Sequence, residues 1–188
     1  MYNILLIGDS QTNLGFKNGW GNHLKIWYDK KATVINKGLN GYSSEMVKDI
    51  FSKLTENTNF HLCTILLGSN DCYNPESLIS PEKYKQNILF MIDNIRKINP
   101  TCLVFLITPP VCRFHSRIMD YVNKIYQIIG ERPFITLIDL HNEPCKIELS
   151  DLTSDGLHIN SSGNWKIFQK IKNIIENHIT FFAPSSLN

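Results

Sequence analysis

Five short apolar runs punctuate the chain: Asn3 to Ile7, Thr33 to Asn36, Cys63 to Leu67, Cys102 to Ile107 and Phe134 to Leu140. Most are rich in Ile, Val, Leu and Phe and show little polar alternation, the pattern of strands covered on both faces, as in a parallel sheet. Between them the period changes to that of helices. Met46, Val47, Ile50, Phe51 and Leu54 form one apolar stripe, with Ser43 or Ser44 as its cap. Tyr84, Ile88, Ile92, Ile95 and Ile98 form a second, opened by Ser80-Pro81, a capping residue followed by proline at the first helical position. Ile118, Val122, Ile125, Tyr126 and Ile129 form a third that stops near Gly130, and Phe168, Ile171, Ile174 and Ile175 form the last, after Ser161-Ser162. A shorter piece, Trp20 to Tyr28, is expected to cross between the first two strands. This alternation predicts a three-layer α/β/α sandwich with helices on both faces of a five-stranded parallel sheet. No repeat or linker interrupts it, so residues 1–188 are expected to form one domain, with the tail from Phe181 to Asn188 loosely held.

Composition removes several classes of function. Hydrophobic residues make up 43% of the 188 and charged residues 19%, which suits a chain that buries a core and excludes a disordered one. Nineteen Lys and Arg against 17 Asp and Glu give a formal charge of +2, so there is no electrostatic case for nucleic acid or an anionic membrane. No apolar run approaches the roughly 18 residues of a membrane span. Met1-Tyr2-Asn3 leads at once into an apolar strand and not into a signal peptide, so a cytoplasmic location is expected. The five cysteines are odd in number and include no Cys-x-x-Cys, and no His/Cys/Asp/Glu cluster has ligand spacing. Neither a disulfide framework, a metal nor a cofactor is expected.

In an open α/β sheet, ligands bind beyond the carboxyl ends of the strands, near the point where strand order reverses. The polar residues that follow each apolar run are therefore the candidates. Gly8-Asp9-Ser10 follows the first, Gly38-Leu39-Asn40-Gly41 the second and Gly68-Ser69-Asn70-Asp71 the third; Asp155-Gly156-Leu157-His158 lies beyond the fifth. Brought to one sheet edge, they supply a hydroxyl, a backbone amide beside glycine, a side-chain amide, a carboxylate and an imidazole. These are the parts of an acyl-transfer site.

In order and spacing, Gly8-Asp9-Ser10, Gly41, Gly68-x-Asn70-Asp71 and Asp155-x-x-His158 resemble the four blocks of the SGNH (GDSL) hydrolases. The likeness runs over essentially the whole chain. Gly19-Trp20-Gly21, Ile107-Thr108-Pro109-Pro110 and Ser154-Asp155-Gly156-Leu157-His158 make it most similar to the isoamyl acetate-hydrolysing esterase branch. The resemblance implies a flavodoxin-like SGNH fold, a small-molecule ester as substrate, and hydrolysis through an acyl-enzyme intermediate. It implies Ser10 as nucleophile, His158 as general base and Asp155 as the residue that orients the imidazole. Asp155 ranks below the other two, because a backbone carbonyl can hold the ring instead. The oxyanion hole would be the N–H of Ser10, the N–H of Gly41 and the side-chain amide of Asn70. Losing one such donor typically costs roughly 3 to 4 kcal/mol of transition-state stabilisation.

Plainer roles stand beside these. Ser10 could merely cap the helix after the first strand; Asp9 is expected to brace its loop, and Asp71 to cap the next segment. Asp139-x-His141 is a possible rival to Asp155 and His158, whereas His23, His61, His115 and His178 read as surface or helix-face residues. Trp20, Tyr42, Tyr73, Pro109, Pro110 and Val111 are the expected walls of the substrate crevice. Only Val111 to His115 separate the Pro-Pro pair from the next helix, which suggests an open pocket and short acyl groups, acetyl first. Deacylation of sugars or phospholipids on the same fold is an alternative. From another class, so is a flavodoxin-like module binding FMN or a phosphate, with Ser10-Gln11-Thr12 as the phosphate loop. No Gly-x-Ser-x-Gly elbow is present, which disfavours an α/β-hydrolase.

Overall fold

The computed structural model describes residues 2–73, 78–113 and 115–179; the Phe181–Asn188 tail lies outside them. Along the chain run β1 (Tyr2–Gly8), α1 (Ser10–Asn18), α2 (Trp20–Trp27), β2 (Ala32–Gly38), α3 (Ser44–Asp49), α4 (Phe51–Thr55) and β3 (Leu62–Leu66). There follow α5 (Ser69–Tyr73), α6 (Pro81–Ile98), β4 (Leu103–Ile107), α7 (His115–Glu131), β5 (Thr136–Ile138), a 3-10 turn (Leu149–Asp151) and α8 (Ser161–His178). All five strands pair in parallel, in the order β2-β1-β3-β4-β5. The order reverses between β1 and β3, and that switch point is where a ligand crevice opens in such sheets.

Period-two alternation divides the strand residues between two cores. Leu5, Ile7, Cys63, Ile65, Val104 and Leu106 face Val47, Ile88, Ile92 and Ile125 of α3, α6 and α7. Ile4, Leu6, Leu62, Phe105 and Ile107 face Trp20, Leu24, Phe168 and Ile171 of α2 and α8. Every residue of β3 is buried, as a strand covered by helices on both faces must be. Among the described residues, no helix is long and apolar enough to cross a membrane.

Several boundaries differ from the pattern reading. The stripe from Met46 to Leu54 is two short helices joined at Ile50, a break that the apolar spacing runs across unchanged; Ser43 caps the first by accepting the Met46 N–H. Asn160, not Ser161 or Ser162, caps α8 by accepting the Gly163 N–H at 3.0 Å. The fifth strand holds only Thr136–Ile138; past it the Leu140 N–H turns to the Thr108 hydroxyl at 2.8 Å, and Pro109 and Pro110 have no N–H to extend the ladder. Helices α1 and α5 carry no apolar stripe, and their sequences give no periodic signal.

Candidate active site

The turn from β1 into α1 is tight. A Cβ on Gly8 would lie 2.0 Å from Thr12 Oγ1 and 2.6 Å from the Leu66 carbonyl, so only glycine lets helix and strand approach this closely. Asp9 caps α1, its carboxylate accepting the Gln11 N–H at 2.9 Å. The capping role considered for Ser10 therefore belongs to Asp9. Ser10 is the first helical residue, and its hydroxyl lies 3.1 Å from His158 Nε2. His158 Nδ1 lies 2.7 Å from Asp155 Oδ2. Asp155 Oδ1 also accepts the Leu157 N–H at 2.8 Å, the His158 N–H at 2.9 Å and the Thr153 hydroxyl at 2.7 Å. Partial burial opposes ionisation of Asp155, but the His158 ring and these donors outweigh it and hold the carboxyl well below the usual carboxylate range.

With Nδ1–H donated to Asp155, Nε2 is left as the acceptor that faces the Ser10 hydroxyl. That separation is within the 2.6–3.2 Å reach of a general base. Residues 148 positions apart thus meet at the carboxyl end of β1.

The chain matches the model of the GDSL-like lipase/acylhydrolase family over residues 6–166. It belongs to that family. It is accordingly an esterase-type carboxylic ester hydrolase. The esterase is 29% identical to the human isoamyl acetate-hydrolyzing esterase 1 homolog, across 94% of this chain and 82% of the relative. A GDSL esterase/lipase of Arabidopsis thaliana is 27% identical, across 91% and 84%. The crystal structure of the lipase/acylhydrolase from Enterococcus faecalis superposes with a TM-score of 0.77 at 23% identity, covering 95% of this chain and 97% of that one.

Asn70 lies on the short α5, and one of its side-chain N–H groups donates to the Tyr42 carbonyl at 3.0 Å. The other N–H has no partner among the described residues. Gly41, in the loop after β2, has φ +76 and open space around the position of a Cβ, so glycine serves its backbone conformation and does not relieve a clash. Leu39 N–H donates to the Gly8 carbonyl at 2.9 Å, which ties that loop to the end of β1.

Other sequence candidates fall elsewhere. Among the described residues, the buried Asp71 carboxylate caps no following segment; it accepts the Ser44 N–H and hydroxyl and so anchors the start of α3. Asp139 accepts the backbone N–H of His141, while the His141 ring lies 2.8 Å from the Pro109 carbonyl, so these two side chains form no second dyad. His23 packs against Trp165, His61 accepts the Asn3 N–H, and His178 lies against Thr136 on the sheet's far edge strand; the His115 side chain is outside the described residues. Trp20 is fully buried, its indole N–H donating to the Gln11 carbonyl at 3.0 Å, so it is core and not a crevice wall. Pro109, Pro110 and Val111 are buried too; Tyr42 and Tyr73 are half-buried, and the Tyr42 carbonyl meets Asn70. Ser10-Gln11-Thr12 is no open phosphate loop: Thr12 is buried, and the buried Gln11 side chain is bonded to the Leu157 carbonyl and the Ile159 N–H. Among the described residues, no group of three or more His, Cys, Asp or Glu side chains could hold a metal ion.

Two groups at the site hold contacts that the sequence reading did not assign to them. Gln11 donates to the Leu157 carbonyl and accepts the Ile159 N–H. Arg113 donates its backbone N–H to the Gly156 carbonyl and its guanidinium to the Asp155 carbonyl. The contacts of Gln11 join segments 146 and 148 residues apart, and neither residue carries a local signal of its role.

Two buried carboxyls below the site have a consequence for stability. Burial pushes Asp9 up to about 7, the Asp71 charge adding to this and the Gln11 N–H opposing it. Burial likewise pushes Asp71 up to about 6, against the Ser44 hydroxyl and N–H. Both lie above their unfolded value of about 3.9, so the fold binds these protons more tightly than the unfolded chain does. Their contribution is complete below pH ~4 and is lost as the pH rises toward about 7, by up to about 4 kcal/mol for Asp9 alone. Urea midpoints should fall between pH 5 and pH 8. In Asp9→Asn, whose Oδ1 can still cap α1, that decline should flatten; an unchanged slope would place its origin in other groups.

Proposed function

We propose that the esterase is a serine hydrolase of short-chain acyl esters, acetyl esters first, and that it works through an acyl-enzyme. The observation that carries the mechanism is the contact of Ser10 Oγ with His158 Nε2 at 3.1 Å, in a ring whose other nitrogen meets Asp155 at 2.7 Å. Ser10 Oγ attacks the ester carbonyl while His158 Nε2 takes its proton; Asp155 keeps the ring in the tautomer that makes this possible and stabilises the imidazolium. The carbonyl oxygen becomes an oxyanion, received by the N–H groups of Ser10 and Gly41 and by the Asn70 side-chain N–H that is not donated to Tyr42. Collapse breaks the bond to the alcohol, which leaves with the proton from His158. A water, deprotonated by the same nitrogen, then attacks the acyl carbon and releases the acid and Ser10.

Short acyl groups are supported by the brevity of the connection between Pro110 and α7, in which Val111 and Cys112 are buried. The name of the human relative, an isoamyl acetate-hydrolyzing esterase homolog, points the same way. Hydrolysis of p-nitrophenyl acetate should have a higher kcat/KM than hydrolysis of the decanoate. A preference for the longer chain would overturn the acyl-length assignment and leave the mechanism standing.

A further inference from the structure

We infer that Gln11 is a positioning residue that sets the aim of His158, an inference resting on the proposed roles of Ser10 and His158. The side chain follows the nucleophile directly and is 4% exposed. Its Nε2–H donates to the Leu157 carbonyl at 2.7 Å, and its Oε1 accepts the Ile159 N–H at 3.3 Å. Those two groups belong to the peptide planes on either side of His158. Since peptide planes are rigid, their orientations about the His158 Cα are that residue's φ and ψ. One amide therefore holds both backbone dihedrals of the base.

Gln11 is itself held. Its backbone N–H donates to Asp9, and its backbone carbonyl accepts the Trp20 indole N–H. Ser10 and Gln11 share the first turn of α1, so the attacking hydroxyl and the grip on the base move as one body. The internal bonds of Asp155 shape the 155–158 turn, and Arg113 braces its outer side at Asp155 and Gly156; Gln11 joins its inner side to the nucleophile's helix. At 3.1 Å the Ser10–His158 contact is near the long end of hydrogen-bond reach, so a small displacement of the turn breaks it.

A positioning role differs measurably from simple satisfaction of a buried amide. Gln11→Leu should lower kcat for p-nitrophenyl acetate about ten- to a hundredfold, with KM changed less than about threefold. In a His158→Ala background, where there is no base to aim, the same substitution should change the residual rate less than about twofold. Equal losses in both backgrounds, or no loss in the first, would overturn the inference. Should Gln11→Leu not fold, Gln11→Asn, one methylene too short to span both groups, serves the same comparison. Ser10→Ala is the control: if it stays active, the proposed nucleophile is wrong, whereas an inactive Ser10→Ala beside a fully active Gln11→Leu removes only the role of Gln11.

Discussion

Ser10→Ala should lower kcat for p-nitrophenyl acetate by about six orders of magnitude, to the level that binding and oxyanion donors alone sustain. The variant should fold normally. Asp9 and not Ser10 caps α1, and the Ser10 hydroxyl's side-chain partner is His158, so alanine removes one oxygen at a helix's first position and no structural bond. A fluorophosphonate probe, which couples to an activated serine, should add one mass label to the native esterase, on the peptide containing Ser10. It should add none to the variant. Because the probe reports nucleophilicity and not turnover, it separates loss of the attacking group from loss of substrate binding. A label found on another serine would move the nucleophile and dissolve the proposed mechanism.

Asp155→Asn should cost about four orders of magnitude, for a reason that lies in the hydrogen bonds of its other oxygen. Oδ1 accepts from Thr153, Leu157 and His158, three donors that only an oxygen can satisfy. Asparagine must therefore keep its carbonyl oxygen there and turn its NH2 toward His158 Nδ1. A ring nitrogen that faces a donor becomes an acceptor, so the imidazole proton shifts to Nε2 and points at Ser10. The turn survives and the base is blocked. The measurement is kcat together with a thermal midpoint, which should hardly move. Asp155→Asn with more than about a tenth of native kcat would mean that the ring is oriented by something other than this carboxylate.

The fold was legible wherever apolar spacing carried it. Strands such as β3 and β4 lie between two helical layers and read as unbroken apolar runs; α6 and α8 bury one stripe and read as period 3.6. Helix α1 escaped because its buried face is Ser10, Gln11, Thr12 and Gly15, held by Asp9 and by close packing of Gly15 on the Trp20 ring and not by hydrophobic burial. The break at Ile50 escaped because Val47 and Phe51 belong to the same core on either side of it. At the site, the strand-end rule and block order drew attention to Ser10, Asp155 and His158, which the structure brings into hydrogen-bond contact. Asn70 follows the third strand, as the block order has it, and lies on the short α5, whose sequence carries no apolar stripe. Gln11 and the α3-anchoring role of Asp71 depend on contacts between segments far apart in sequence, which local pattern does not encode.

The distance along the chain between hydroxyl and imidazole has a bearing on when the molecule becomes chemically competent. On the roles proposed for Ser10 and His158, the 148 residues that follow Ser10 must be added during synthesis before the serine can meet its base. At roughly 5 to 20 residues per second this takes about 7 to 30 s. Throughout that interval the nascent polypeptide holds a serine no more reactive than any other, and a fragment released early stays inert.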